Sequence, residues 1–214
     1  MMETSGYVDE LRIVGGHPAV DFVNTVDGDP EGESRLESLR GYGDLVAWSV
    51  RAGVISAAAG GRLEAEAYRR PEEAETVYRD ALRFRGALYG VLRAVAEGVD
   101  APAAGLEVLR GYEGEALSRG RLLQGAEGFD WDWKHHRDLA GPLWPVAHAA
   151  TVLLTSGDLN RLKLCAGCHW LFLDASRNHS RRWCTMEVCG TDEKMRRYVA
   201  RRAARRKVER RSDA

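Results

Sequence analysis

Apolar positions recur at helical spacing through most of the first 160 residues. The clearest case runs from Pro71 to Glu97, where Phe84, Leu88, Val91, Leu92 and Val95 share a face behind a proline suited to a first helical turn. A second stripe, Leu143, Val146, Ala147, Ala150, Leu153 and Leu154, predicts a helix from Pro142 to Ser156. Shorter helices are predicted after Pro18, through Asn24, and from Leu45 to Ala52 with Asp44 as cap and Gly53 as stop. Ser56 caps a further helix to about Arg70, and another covers Ala103 to Ser118. Leu11 to Pro18 reads as a short strand and turn, and Asp27 to Ser34 as a loop.

The period shortens after residue 120. Arg121-Leu122-Leu123 and Phe129 to Trp133 flank a glycine-rich turn, which predicts a β-hairpin with Phe129, Trp131 and Trp133 on one face. Asp158 can cap a last turn, after which Leu159 to Leu164 runs into the first cysteine. The pattern predicts a mainly α chain: a helical domain with a short β-hairpin over 1–160, and a small second module over 161–214.

Charge supports that division. The chain is nearly neutral, with 31 basic and 32 acidic residues. Yet 161–214 holds 15 Lys and Arg against 6 Asp and Glu, a net of +9, so the first 160 residues carry −10. Such asymmetry fits a polyanion-binding segment joined to a domain with another task, or else a solvated basic tail. No apolar run approaches the length of a membrane span. The first residues lack the apolar core of a secretory signal, so a cytoplasmic location is expected.

All four cysteines fall between 165 and 189, in the order Cys165-x2-Cys168-x15-Cys184-x4-Cys189. Two close pairs separated by a loop-out of this length suit a tetrahedral zinc ion, whereas disulfide staples would be spread along a secreted chain. Gly167 gives the first knuckle backbone freedom. Trp170 to Leu173 and Arg181 to Cys184 can form the two arms of a hairpin, with Cys189 at the start of a helix. Knuckle, hairpin and helix in that order make a treble-clef-like zinc finger. Four sulfur ligands leave no position for water, so one structural Zn²⁺ is expected. A redox disulfide switch is the alternative.

Basic residues surround this site. Arg177, Asn178, Arg181 and Arg182 lie in or beside the hairpin turn, while Lys194, Arg197, Arg201 and Arg205 fall on one face of the following helix with Arg202 beside them. Met195, Tyr198 and Val199 are expected to turn the other way, toward the finger core. Arginine dominates, as suits bidentate phosphate and guanine contacts. DNA is the expected partner, with RNA or a protein as the alternative.

In the helical domain, His17, Asp21 and Asn24 are polar among apolar neighbours, and could line a ligand pocket with Trp131 and Trp133 or serve as caps and buried hydrogen-bonding groups. No phosphate-binding glycine loop, nucleophile elbow or paired acid and base stands out, so an enzyme with its site in this domain is the weakest reading.

Leu171-Phe172-Leu173-Asp174-x-Ser176-Arg177-Asn178, then Ser180-Arg181-Arg182-Trp183-Cys184-x-Met186 and Cys189-Gly190, resembles the CGNR zinc finger. Gly15-Gly16-His17-Pro18-Ala19-Val20-Asp21-Phe22-Val23-Asn24-Thr25 looks like the opening of the ABATE domain that usually precedes that finger. The resemblance implies a bacterial stress-induced transcription regulator in which the finger binds DNA and the helical domain senses an effector or forms a homodimer. The name-giving tetrapeptide is Cys189-Gly190-Thr191-Asp192 here, so the family's Asn and Arg are absent. Asp192 could cap the basic helix instead.

Overall fold

The computed structural model describes residues 7–27, 36–125, 128–133 and 137–212. In chain order its helices are α1 (Tyr7–Glu10), α2 (Pro18–Val23), α3 (Tyr42–Arg51), α4 (Ala57–Arg69), α5 (Pro71–Glu97), α6 (Ala103–Arg119), α7 (Leu143–Ser156) and α8 (Thr191–Ser212). Among the described residues there are also three antiparallel two-stranded ribbons: β1 (Val26–Asp27) with β2 (Leu36–Glu37), β3 (Arg121–Gln124) with β4 (Phe129–Asp132), and β5 (Leu162–Leu164) with β6 (Leu171–Leu173).

The 27-residue α5 is the spine, roughly 40 Å long at 1.5 Å per residue. Pro71 opens it, and Gly98 ends it at φ +69°, a left-handed conformation that glycine adopts without strain. Its inner face presents Ala81, Phe84, Leu88 and Leu92, all fully buried. Helices α2, α3, α4 and α6 pack along it, and α7 closes the far side against α2 and α6. At the centre the Phe22 ring meets Trp48 at 5.1 Å and Phe84 at 5.8 Å, and Phe84 stacks on Tyr112 at 4.3 Å.

The largest charged side chain in this core is that of Arg85. The side chain of Arg85, on α5, donates to Thr25 Oγ1 at 2.8 Å and to both carboxylate oxygens of Glu37, at 2.7 and 2.5 Å. This bidentate pair ties the β1–β2 ribbon to the spine. Arg85→Met should destabilise the chain by roughly 2–3 kcal/mol, less than for a fully buried pair because Glu37 keeps some access to water. Urea unfolding checks this; a loss under about 0.5 kcal/mol would show the pair to be dispensable.

Several local expectations change. Leu11 to Val14 forms no strand; the Gly15 carbonyl instead accepts a hydrogen bond from Leu173 N at 2.8 Å. Helix α3 starts at Tyr42, and Asp44 lies inside its first turn, where its carboxylate reaches back to Arg40 N at 2.9 Å. Asp158 makes no side-chain cap, because its carboxylate pairs with Arg161 at 2.9 Å. Most of the expected loop from Asp27 to Ser34 lies outside the described residues.

The largest difference concerns the finger hairpin. Leu171–Leu173 pairs with Leu162–Leu164, which precedes the first cysteine, in the register Leu162 to Leu173 and Leu164 to Leu171. The stretch Arg181 to Cys184 carries no strand and is held by single bonds such as Ala166 N to Arg182 O at 2.8 Å. The reason is apolar burial: Leu162, Leu171 and Phe172 sink against α5 and α2, whereas Arg182 stays in water. The helical part and the finger therefore share one continuous core.

Candidate metal centre

The cysteine cluster forms where three pieces of backbone meet. The β5–β6 ribbon carries Cys165 and Cys168 in the turn at its end. Cys184 follows the irregular return segment, and Cys189 lies in a π-type turn, Met186–Gly190, that leads into α8. Gly167 does not have a positive φ, and its role is close approach: a Cβ there would stand 3.0 Å from Cys189 Cβ.

All four sulfurs lie within 4.8 Å of one another, and no other metal-competent group of His, Cys, Asp or Glu occurs among the described residues. Cys168 to Cys184 is 3.8 Å, and Cys189 is 3.6 Å from each of them. A zinc–sulfur bond of about 2.3 Å gives a tetrahedron edge of about 3.8 Å, so these spacings fit four thiolates on one zinc. They are far beyond a disulfide bond of about 2.05 Å, and the four cysteines are free. Cys165 Sγ also accepts from Gly167 N at 3.4 Å and Cys184 N at 3.3 Å, bonds that favour a thiolate.

The thiols perturb one another strongly. Hydrogen bonds from the Cys168 and Cys184 thiols hold Cys165 far below the usual thiol range. The bond to Cys165 pushes Cys168 far up, and the same partner pushes Cys184 up to about 12. Four thiolates so close cannot all ionise unless a cation neutralises them. The site accordingly suits a divalent metal.

A buried ion pair organises the loop after β6. Asp174 is fully buried; burial opposes its charge, but hydrogen bonds from Lys163, Ser176 N and Arg181 N hold its carboxyl well below the usual range. Lys163 Nζ lies 2.8 Å from Asp174 Oδ2 and also donates to the His179 carbonyl. His179 has a left-handed φ of +47°. This Lys163–Asp174 pair was not picked out from the sequence, although a lone lysine between two leucines of a buried strand is a usable signal.

The basic residues separate into two groups. Arg177, Asn178 and Arg182 are exposed on the loop, and Lys194, Arg201 and Arg202 are exposed on α8. Arg181 is instead used internally: its guanidinium sits 4.9 Å above the Phe172 ring and donates to the Cys184 carbonyl. The side chains of Arg197 and Arg205 lie outside the described residues. Met195, Tyr198 and Val199 do not turn toward the finger core; they are 58%, 52% and 57% exposed, because α8 leaves the finger after its first turns. Asp192 and Glu193 sit in its first turn, where acidic charge complements the helix dipole, and Thr191 Oγ1 donates to Met186 O at 3.0 Å.

The residues considered for a ligand pocket fall in two places. On α2, His17 caps the helix by accepting from Ala19 N at 3.3 Å, and burial lowers its pKa. Burial raises that of Asp21, whose carboxylate accepts from Gly15 N at 2.7 Å. Asn24 donates from Nδ2 to Leu171 O at 2.8 Å and accepts at Oδ1 from Leu171 N at 2.9 Å, the pattern of a neighbouring strand. Its amide thus extends the finger's ribbon from inside the helical part. Trp131 and Trp133 line a separate cavity that none of these three residues borders.

The α2 segment also holds the finger through rings. Trp170 Nε1 donates to Val26 O at 2.9 Å, and Arg12 stacks over the Trp170 ring at 4.8 Å while donating to Thr185 Oγ1 at 3.2 Å.

Comparison with known proteins gives two family matches along the chain. No curated protein matches the chain. Among the described residues, no helix is long and apolar enough to cross a membrane. Residues 161–202 match the model of the CGNR zinc finger. Residues 16–157 match the model named ABATE and described as a putative stress-induced transcription regulator. The chain therefore belongs to the ABATE family and carries a C-terminal CGNR zinc finger.

Proposed function

We propose that this protein is a transcription regulator that binds duplex DNA through a finger organised by one structural zinc. The observation that carries this reading is the four-sulfur cluster beneath an exposed basic loop and helix. Cys165, Cys168, Cys184 and Cys189 would hold the metal. Four thiolates fill its coordination and leave no site for substrate or water, so its contribution is folding. Zinc with four thiolates adds about −2 to the +9 of residues 161–214, leaving about +7 for a polyanion to neutralise. Arg177, Asn178 and Arg182 on the loop and Lys194, Arg201 and Arg202 on α8 are exposed and would contact phosphate. Both matched families are of regulator and zinc-finger type, which gives no support to an enzymatic role.

Fluorescence anisotropy with a mixed-sequence duplex tests the proposal. Log affinity should fall steeply with log salt, and Arg177→Ala with Arg182→Ala should flatten the slope by roughly 2 while zinc content stays unchanged. A slope near zero in the unaltered protein would refute polyanion binding. Tighter binding to single-stranded RNA than to duplex would favour the adaptor reading instead.

A further inference from the structure

A cavity of about 350 Å³ opens on the helical part, away from the finger. It lies between the turn before α4, the first half of α4, the end of β4 and the residues leading into α7. Its volume is near the lower end of the range for small-molecule sites, about 300–1,000 Å³. Val54, Ile55, Leu63 and Pro145 make its aliphatic walls.

The remaining wall is aromatic and already set. Trp131 and Trp133 stack at 5.9 Å with their planes 18° apart. His148 packs against both, edge-on to Trp131 at 5.5 Å and tilted against Trp133 at 5.7 Å. It is itself held by Glu113 at 2.9 Å, and Trp133 Nε1 donates to Ala116 O at 2.8 Å. Indoles fixed this way offer a flat surface at little ordering cost. The fold does not need them as core: both keep partial exposure, unlike the fully buried Trp48 and Trp144.

The polar lining is unevenly charged. Helix α4 begins at this cavity, with Ser56 as cap and no acidic residue in its first turn, so the positive end of its dipole is uncompensated. Arg62, one turn further on the same face as Ala59 and Leu63, has no ion-pair partner among the described residues. Arg137 also lines the cavity and is only loosely paired, 3.9 Å from a Glu66 that bonds Arg69 at 2.7 Å. Asp132 and Asp138 border it too, and Asp138 accepts from Ala140 N at 2.9 Å. Two arginines beside two carboxylates suit a singly charged anion better than a polyanion.

We propose that this cavity binds a small organic acid, with its aromatic or branched apolar body against Trp131 and Trp133 and its anionic group toward Arg62 and the start of α4. This inference is independent of the DNA reading, since its test involves no nucleic acid.

Titration of the full chain with 8-anilinonaphthalene-1-sulfonate, an aromatic anion, tests it against the uncharged probe N-phenyl-1-naphthylamine. The unaltered protein should bind the sulfonate saturably, one per chain, with energy transfer from tryptophan. Arg62→Glu, at an exposed position, should weaken sulfonate binding about tenfold and leave the uncharged probe unaffected. Trp131→Leu should weaken both probes, because each loses its indole surface. Melting curves matching the unaltered protein confirm that each variant is folded. Absence of saturable sulfonate binding, or equal sulfonate affinity in Arg62→Glu, would overturn the proposal. The second result would place the probe on other apolar surface, such as the exposed Leu122 and Phe129 of the β3–β4 hairpin.

Discussion

Cys184→Ala is expected to lose stoichiometric zinc and to lower the melting transition of the whole chain, not of a detachable finger alone. Zinc bound by four thiolates contributes roughly 10–16 kcal/mol of apparent folding energy in small fingers at neutral pH, and a three-sulfur site forfeits much of it. Here the finger's apolar residues are also part of the main core. Leu171 and Phe172 are fully buried, and Trp170 donates to Val26 O from within the ribbon. If the finger loosens, the inner sides of α2 and α5 are exposed to water. Calorimetry together with metal analysis should show one zinc per chain and one cooperative transition in the unaltered protein. In Cys184→Ala the transition should be lower and broader, with metal well below one equivalent. Acidification should act in the same direction, because protons compete with zinc for thiolates, so metal is lost as pH falls. A variant that melted unchanged without metal would refute a folding role for the ion.

Asn24→Ala should damage the helical part and the finger together. The Asn24 amide satisfies both the N–H and the carbonyl of Leu171, at 2.9 and 2.8 Å, in a position 1% exposed. Truncation leaves two buried backbone groups without partners, at about 1–3 kcal/mol each, or roughly 4 kcal/mol in total. The damage should reach the metal site, since Leu171 pairs with Leu164, one residue before Cys165. Urea unfolding should give the stability loss, and competition with a zinc chelator should show faster metal release than in the unaltered chain. Loss of stability with normal metal retention would show that the clamp serves the helices only.

These two residues illustrate what the sequence makes legible. The zinc site could be read because it depends on local spacing: each cysteine pair converges through a short turn, and only one loop-out separates the pairs. The long helices are legible for the same reason, since Pro71 and Ser56 act on their nearest neighbours. Asn24 stands out as a polar residue in an apolar helix, which suits a buried hydrogen-bonding group, but its partner is 147 positions away and the sequence does not name it. The strand partner of Leu171–Leu173 was misassigned because Arg181 to Cys184 and Leu162 to Leu164 are both short enough to pair, and only tertiary burial against α5 selects the latter. Likewise Met195, Tyr198 and Val199 have the spacing of a buried face, yet α8 finds nothing to cover them.

The amide of Asn24, acting as a surrogate strand edge, has a bearing on how such a finger can be engineered or recombined. A cassette excised at residue 161 would leave behind the hydrogen-bonding template and the greasy cradle on which its ribbon lies. Transplantation to another host therefore requires carrying α2 and the facing stretch of α5 as well, and a linker between the two parts could not be lengthened freely. The finger of this molecule is inlaid rather than tethered, so its orientation is inherited from the helices beneath it.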